Sequence, residues 1–187
     1  DTGGIDPNSD DPLLKQMRAQ AEIAIETCDM ILFFVDGKQG LTDDDKDVAT
    51  MLRKSSKPII LVVNKVDSMD SYDNVYEFYE LGLGEPIPIS SANMLNIGDL
   101  LDEIVSGFPD KDYEADEENI KLAIIGKPNV GKSSLVNALT KENRVIVSPI
   151  AGTTRDSIDT PFSFEGNDFT LIDTAGLRRR SKGYDSI

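Results

Sequence analysis

Apolar residues along the chain fall into two kinds of stretch that take turns: short continuous runs, and longer segments with helical spacing. This alternation predicts an α/β fold with a mostly parallel sheet. Residues 12–27 place Leu13, Met17, Ala21 and Ala24 on one side of a helix. Met30 to Val35 is an unbroken apolar run ending at Asp36-Gly37, as expected of a strand covered on both faces. Thr42 followed by Asp43, Asp44 and Asp45 opens the next helix, with acids at its positive end. Residues 58–63 predict a second buried strand, 73–81 a helix, 87–89 a short strand and 97–108 an amphipathic helix. Residues 109–119 are polar, mostly acidic and without apolar periodicity, which reads as a linker. After it, 120–125 predicts a strand running into a glycine-rich turn and a helix over 132–139. Residues 158–164 and 169–172 predict a hairpin around Glu165-Gly166-Asn167-Asp168.

Composition changes this picture little. The 187 residues are 39% hydrophobic and 28% charged, ordinary for a globular protein with a sizeable core. No apolar run approaches the roughly 20 residues that span a bilayer, so no membrane partner is expected. The start, Asp1-Thr2-Gly3-Gly4, has neither an initiator Met nor the regions of a signal peptide, and a processed or truncated N-terminus is the expectation. The single cysteine, Cys28, suits a cytoplasmic setting and reads as a small buried hydrophobe rather than a redox centre. Charge is more informative. Residues 1–119 hold 9 Lys/Arg against 27 Asp/Glu, and residues 120–187 hold 10 against 7. The acidic first segment argues against non-specific nucleic-acid binding. Arg178, Arg179, Arg180 and Lys182 form a basic cluster suited to phosphate or to a solvated loop.

The strongest chemical motif is Gly126-Lys127-Pro128-Asn129-Val130-Gly131-Lys132-Ser133, which follows a predicted strand and opens a helix. This is the phosphate-cradling P-loop pattern. Its glycines let successive backbone N–H groups face an anion, and the helix N-terminus adds a favourable dipole. Asn129, Val130, Gly131, Lys132, Ser133 and Ser134 are therefore candidate nucleotide-binding residues. Lys132 can reach the β- and γ-phosphates, and the Ser133 hydroxyl can ligate Mg²⁺. Asn64-Lys65-Val66-Asp67 follows another strand, and a carboxylate such as Asp67 can accept both the ring N–H and the exocyclic amine of guanine. Asn64 and the Lys65 stem would brace that loop and cover the base. Ser90-Ser91-Ala92 suits a backbone contact to the guanine carbonyl. Asp173-Thr174-Ala175-Gly176 places a carboxylate for Mg²⁺ and a Gly176 N–H for the γ-phosphate. Thr154, in Gly152-Thr153-Thr154-Arg155-Asp156, would complete the Mg²⁺ shell. The metal set is thus Ser133, Thr154 and Asp173, and the groups nearest the reacting phosphate are Lys132, Thr154 and Gly176.

With these residues in place, the chain resembles the bacterial tandem-GTPase family called Der or EngA. Members have two Ras-like GTPase domains joined by an acidic linker, followed by a small KH domain. The resemblance implies that residues 1–108 are similar to the C-terminal part of the first GTPase domain, 109–119 to the linker, and 120–187 to the N-terminal part of the second. It implies GTP/GDP as ligand and the large ribosomal subunit or its rRNA as partner. Asp1-Thr2-Gly3-Gly4-Ile5 looks like the first domain's Mg²⁺ motif, so Asp1 and Asp173 both compete for the place beside a P-loop. The first domain's P-loop, the second domain's guanine motifs and the KH domain have no counterpart here. Ser91 stands where the family usually has Ala. Leu177 stands where Ras-like enzymes carry a water-positioning Gln, and such GTPases with an Asn like Asn129 resemble potassium-stimulated enzymes.

The two segments together hold one full set of GTPase elements in circularly permuted order. One expectation is a single composite Ras-like three-layer domain, completed within the chain or by exchange in a domain-swapped dimer. The other is a fragment whose two incomplete sites hydrolyse little by themselves. A nucleotide-gated ribosome-binding module using the 178–182 cluster is a further reading, and the Asn-Lys-x-Asp tetrapeptide argues against an ATPase.

Overall fold

A computed structural model describes residues 12–108, 119–127, 129–147 and 159–173. Along them lie α1 (Pro12–Thr27), β1 (Met30–Asp36), α2 (Asp43–Arg53), β2 (Ile59–Asn64), α3 (Met69–Val75) with a 3₁₀ turn over Tyr76–Leu81, β3 (Ile87–Pro88) and α4 (Ile97–Ser106). Then follow β4 (Ile120–Gly126), α5 (Lys132–Lys141), β5 (Val145–Val147), β6 (Asp159–Phe164) and β7 (Asn167–Asp173).

The strands make one seven-stranded sheet in the order β3-β2-β1-β4-β7-β6-β5. β1 lies parallel between β2 and β4, β2 is parallel to β3, and β4 is parallel to β7. Only β6 runs against the other strands, pairing antiparallel with β7 on one side and with the edge strand β5 on the other. The fold is thus the mostly parallel, three-layer Ras-like P-loop architecture in permuted order: β4, which leads into the phosphate motif, sits at the centre although it is fourth in the chain. The β1–β4 register runs from Met30 opposite Leu122 to Phe34 opposite Gly126. At the other end, Asp29 and Lys121 close it, with the Lys121 N–H donating to Asp29 Oδ2 at 2.8 Å and the Asp29 N–H to the Lys121 carbonyl at 2.8 Å.

Strand alternation sorts the core into two layers. Met30, Leu32 and Phe34 face α4 and α5, joining Ile97, Leu100, Leu101, Ile104, Leu135 and Leu139. Ile31, Phe33 and Val35 face the other side, with Ala21 and Ala24 of α1, Val48 and Leu52 of α2, and Phe78 and Leu81 beyond α3. Each fully buried side chain of this kind contributes about 1.5–3 kcal/mol. Cys28 is buried in the second layer as the small hydrophobe expected, and burial pushes its thiol pKa up.

Two expectations shift in detail, and one strand was not foreseen. The helix predicted over 73–81 begins at Met69 instead, because Ser68 and Ser71 form a capping box. It tightens to 3₁₀ geometry and ends at Gly82, whose φ of 66° is left-handed. The hairpin turns on two residues, since Phe164 pairs with Asn167. Glu165 and Gly166 both have positive φ, 50° and 78°, the requirement of a tight I′ turn. β5, only three residues long, lies below the length at which periodicity is readable. The expected linker residues 109–118 lie outside the described residues, as do Thr154, Gly176, Leu177, the 178–182 cluster and Asp1–Ile5.

Gly126 lets the backbone of the second segment pass close to that of the first. A Cβ there would stand 2.6 Å from the Phe34 carbonyl oxygen and 3.1 Å from Val130 Cγ2. Gly126→Ala is expected to destabilise the fold by about 1–3 kcal/mol, since the clash is with backbone that cannot move aside. Urea unfolding of the variant beside the parent protein checks this.

Candidate nucleotide site

The parallel strands β1, β2, β4 and β7 end together at Asp36, Asn64, Gly126 and Asp173, so the predicted motifs collect beyond their carboxyl ends. Open α/β sheets bind ligands in that crevice. After β4 the chain passes Asn129, at φ 67°, and Gly131, at φ 97°, before α5 begins at Lys132. Two left-handed residues within three positions turn the loop back on itself, and Asn tolerates this better than most residues with a Cβ. Lys132 is buried, and its ammonium donates to the carbonyls of Gly126 and, at 3.2 Å, Lys127. Ser133 is exposed and Ser134 half-buried in the first turn of α5.

Asn64 ties this loop to the second motif. It is 2% exposed, its Nδ2 donates to the Val130 carbonyl at 2.8 Å, and its Oδ1 accepts the Ser91 N–H at 3.0 Å. One buried amide therefore joins the P-loop, the Asn-Lys-x-Asp stretch and the Ser-Ser-Ala loop. Gly131 is needed for it, because a Cβ at that position would run into Asn64 Nδ2. Lys65, itself at φ 65°, donates to the Asn129 carbonyl at 2.7 Å and to Asp36 Oδ2 at 2.9 Å. Its stem is thereby held along the rim of the loop.

Asp67 stands at the mouth of the site. Its carboxylate accepts from Asn93 Nδ2 at 3.1 Å and pairs with Lys38 at 3.4 Å. Its N–H donates to Ser71 Oγ at 3.2 Å, the same hydroxyl that accepts the Ser68 N–H. The loop after β3 is shaped by reciprocal backbone bonds between Ser90 and Leu95 at 3.1 and 3.0 Å. Ser90 and Ser91 are buried and Ala92 is exposed. The Ser91 hydroxyl is buried without a hydrogen bond. Asp173 enters by its backbone, opposite Ile124 at the end of β7.

Two residues that sequence reasoning passed over also belong here. Lys127, an unspecified position of the P-loop pattern, donates to Thr42 Oγ1 at 2.8 Å and Gln39 Oε1 at 3.2 Å, and lies 3.5 Å from Asp45 Oδ1. Asp45 is 1% exposed and also receives the Thr42 N–H at 3.1 Å, completing the α2 cap. The phosphate loop is thus pinned to the start of α2. Asp36 is the other. Burial pushes its pKa up, but the Lys65 ammonium and the N–H groups of Gln39 and Lys38 outweigh this and hold the carboxyl below its ordinary value. A negative charge directly after a buried strand was the available signal.

A depressed carboxylate pKa stabilises the fold above its unfolded value near 3.8, and that contribution fades as pH falls through the lower folded value. Asp36→Asn is therefore expected to lower stability at pH 7 and to differ progressively less from the parent below about pH 4. Acid and urea unfolding of the two proteins across that range checks the sign.

The chain matches the family described as 50S ribosome-binding GTPase over residues 1–65 and 121–186. It is similar to the protein named GTPase Der of Agathobacter rectalis, 60% identical over 189 residues, covering 100% of this chain and 43% of the relative. To GTPase Der of Lachnospira eligens it is 61% identical over 184 residues, covering 97% and 42%. To that of Alkaliphilus metalliredigens it is 61% identical over 188 residues, covering 100% and 43%. The chain spans about two fifths of the length of these curated relatives.

Proposed function

The chain belongs to the 50S ribosome-binding GTPase family, and on that premise we propose that it binds guanine nucleotide with Mg²⁺ and hydrolyses GTP at one site composed from both segments, in the cytoplasm and in the service of the large ribosomal subunit. The observation that carries this reading is the buried Asn64 amide, which spans the P-loop carbonyl of Val130 and the Ser91 N–H. Phosphate cradle and base-reading loop thereby share one rigid link.

In this reading the amides of Asn129, Val130, Gly131, Lys132, Ser133 and Ser134 surround the phosphates, and the Lys132 ammonium leaves its loop carbonyls for phosphate oxygens. Asp67 accepts from the guanine edge, while Lys65, anchored by Asp36, covers the ring. Ser90 shapes its loop. The Ser91 N–H already serves Asn64, so the contact to the guanine carbonyl falls to Ala92.

Among the described residues no group of three His, Cys, Asp or Glu could hold a metal by itself. In this proposal Mg²⁺ would be held mainly through phosphates and water, with the exposed Ser133 hydroxyl as protein ligand, Asp173 through water, and Thr154 closing the set. Bound there, Mg²⁺ would neutralise charge on the β- and γ-phosphates. Lys132, Thr154 and the Gly176 N–H would stabilise the γ-phosphoryl group.

β1 can in principle take its β4 neighbour from a second copy, which makes a domain-swapped dimer the alternative assembly of the same site. No helix among the described residues is long and apolar enough to cross a membrane.

Fluorescent GDP titrated onto the chain with Mg²⁺ is expected to bind, to be displaced by GTP but not ATP, and to be weakened at least tenfold, about 1.4 kcal/mol, by Asn64→Ala. No binding by folded protein would reject the composite site. Leu177 cannot orient water, so a monovalent cation ligated partly by Asn129 supplies the missing charge in this proposal. GTP turnover should then be several-fold faster in K⁺ than in Na⁺ buffer, and equal rates would remove the cation from the mechanism.

A further inference from the structure

We propose that the outer face of α3 and its 3₁₀ extension is a docking surface for a basic, arginine-rich polypeptide segment. Met69, Tyr72, Tyr76 and Tyr79 are 81%, 49%, 72% and 50% exposed. Their spacing of three, four and three residues sets them in one row along the helix. The opposite side of the same element is spent on the core, where Ser71, Val75, Phe78 and Leu81 are buried. The rings of Tyr76 and Tyr79 stack on each other at 6.5 Å with an 18° interplanar angle, so they present one continuous aromatic surface.

A second row lies one residue further on, about 100° around the helix: Asp70, Asp73, Glu77 and Glu80. Glu77 accepts the Leu41 N–H at 3.1 Å and Glu80 pairs with Lys46 at 3.4 Å. Asp70 and Asp73 are exposed. Residues 69–81 carry four Asp/Glu and no Lys or Arg; Lys46 pairs with Glu80 and Arg53 donates to the Leu81 carbonyl, which still leaves this face in a net negative field.

That field decides the occupant. Nucleic acid and anionic lipid are repelled by it, and a second copy would set the same carboxylate rows against each other. A purely apolar partner would cover the tyrosines but strip water from the carboxylates without replacing their hydrogen bonds. An arginine-rich segment satisfies both rows: guanidinium groups lie over the exposed rings and donate to the carboxylates beside them. The surface does not depend on the nucleotide reading.

The test is fluorescence anisotropy of a labelled peptide of alternating Arg and Gly, titrated with the full 187-residue chain at fixed ionic strength. Tyr76→Ala with Tyr79→Ala should weaken binding about tenfold, whereas the paired Tyr→Phe changes, which keep both rings, should leave it within about twofold. Asp70→Asn with Asp73→Asn should weaken it comparably. Glu22→Gln with Glu26→Gln removes the same charge from exposed positions on α1 and should have an effect under about twofold. Equal losses from the two charge-neutralised pairs would mean bulk acidity and would overturn the proposal. So would undiminished binding by the alanine pair, or tighter binding of a labelled RNA oligonucleotide at the same face. Circular dichroism of each variant confirms that these surface changes leave the fold intact.

Discussion

β1 and β4 come from opposite sides of the acidic stretch 109–119, and their parallel pairing is the constraint on which the rest of the structure rests. The register places Gly126 opposite Phe34, so the P-loop leaves the sheet one strand away from the Asp36 terminus and two from that of Asn64. A slip of one residue would turn every core side chain of β4 to the wrong layer. It would also lift the Val130 carbonyl away from Asn64. Gly126 permits the close approach, and the Asp29–Lys121 backbone and side-chain bonds close the opposite end.

Upon that register sits a polar network that has little slack. Asn64 serves two loops with one amide, Lys65 serves Asn129 and Asp36 with one ammonium, and Lys127 reaches Thr42, Gln39 and Asp45. Buried polar groups of this kind contribute modestly when satisfied and cost more when a partner is lost. These bonds fix the loops relative to one another. Left-handed backbone at Lys65, Asn129 and Gly131 is concentrated in the same place, as expected where loops must bend sharply around a site.

Much of the fold was legible beforehand because its strands are buried on both faces and read as continuous apolar runs. Met30 to Val35 and Ile120 to Ile125 need no tertiary information to be recognised. Elements whose identity rests on local hydrogen bonds were less legible: the Ser68–Ser71 capping box moved the start of α3 forward, and three-residue β5 left no periodic trace. The P-loop, the Asn64–Asp67 stretch and Ser90–Ala92 were recognisable from residue type and spacing. Lys127 was not, because its partners are distant in sequence, and for Asp36 only its place at the end of a buried strand could be read, not its tie to Lys65.

What the sequence determined by itself is the inventory: which strands are buried, where the glycine-rich loop after β4 begins, and how acidic α3 and its extension are. These follow from local pattern and composition, which need only near neighbours in the chain. Tertiary structure alone decided that a residue of the first segment meets a loop of the second, since Asn64 and Val130 stand 66 positions apart and no local rule links them. It also decided which tyrosines of the α3 region are free of the core and form one row. Pairing between distant strands is selected by the burial of whole sheet faces, and the polar contacts of the site follow from that choice.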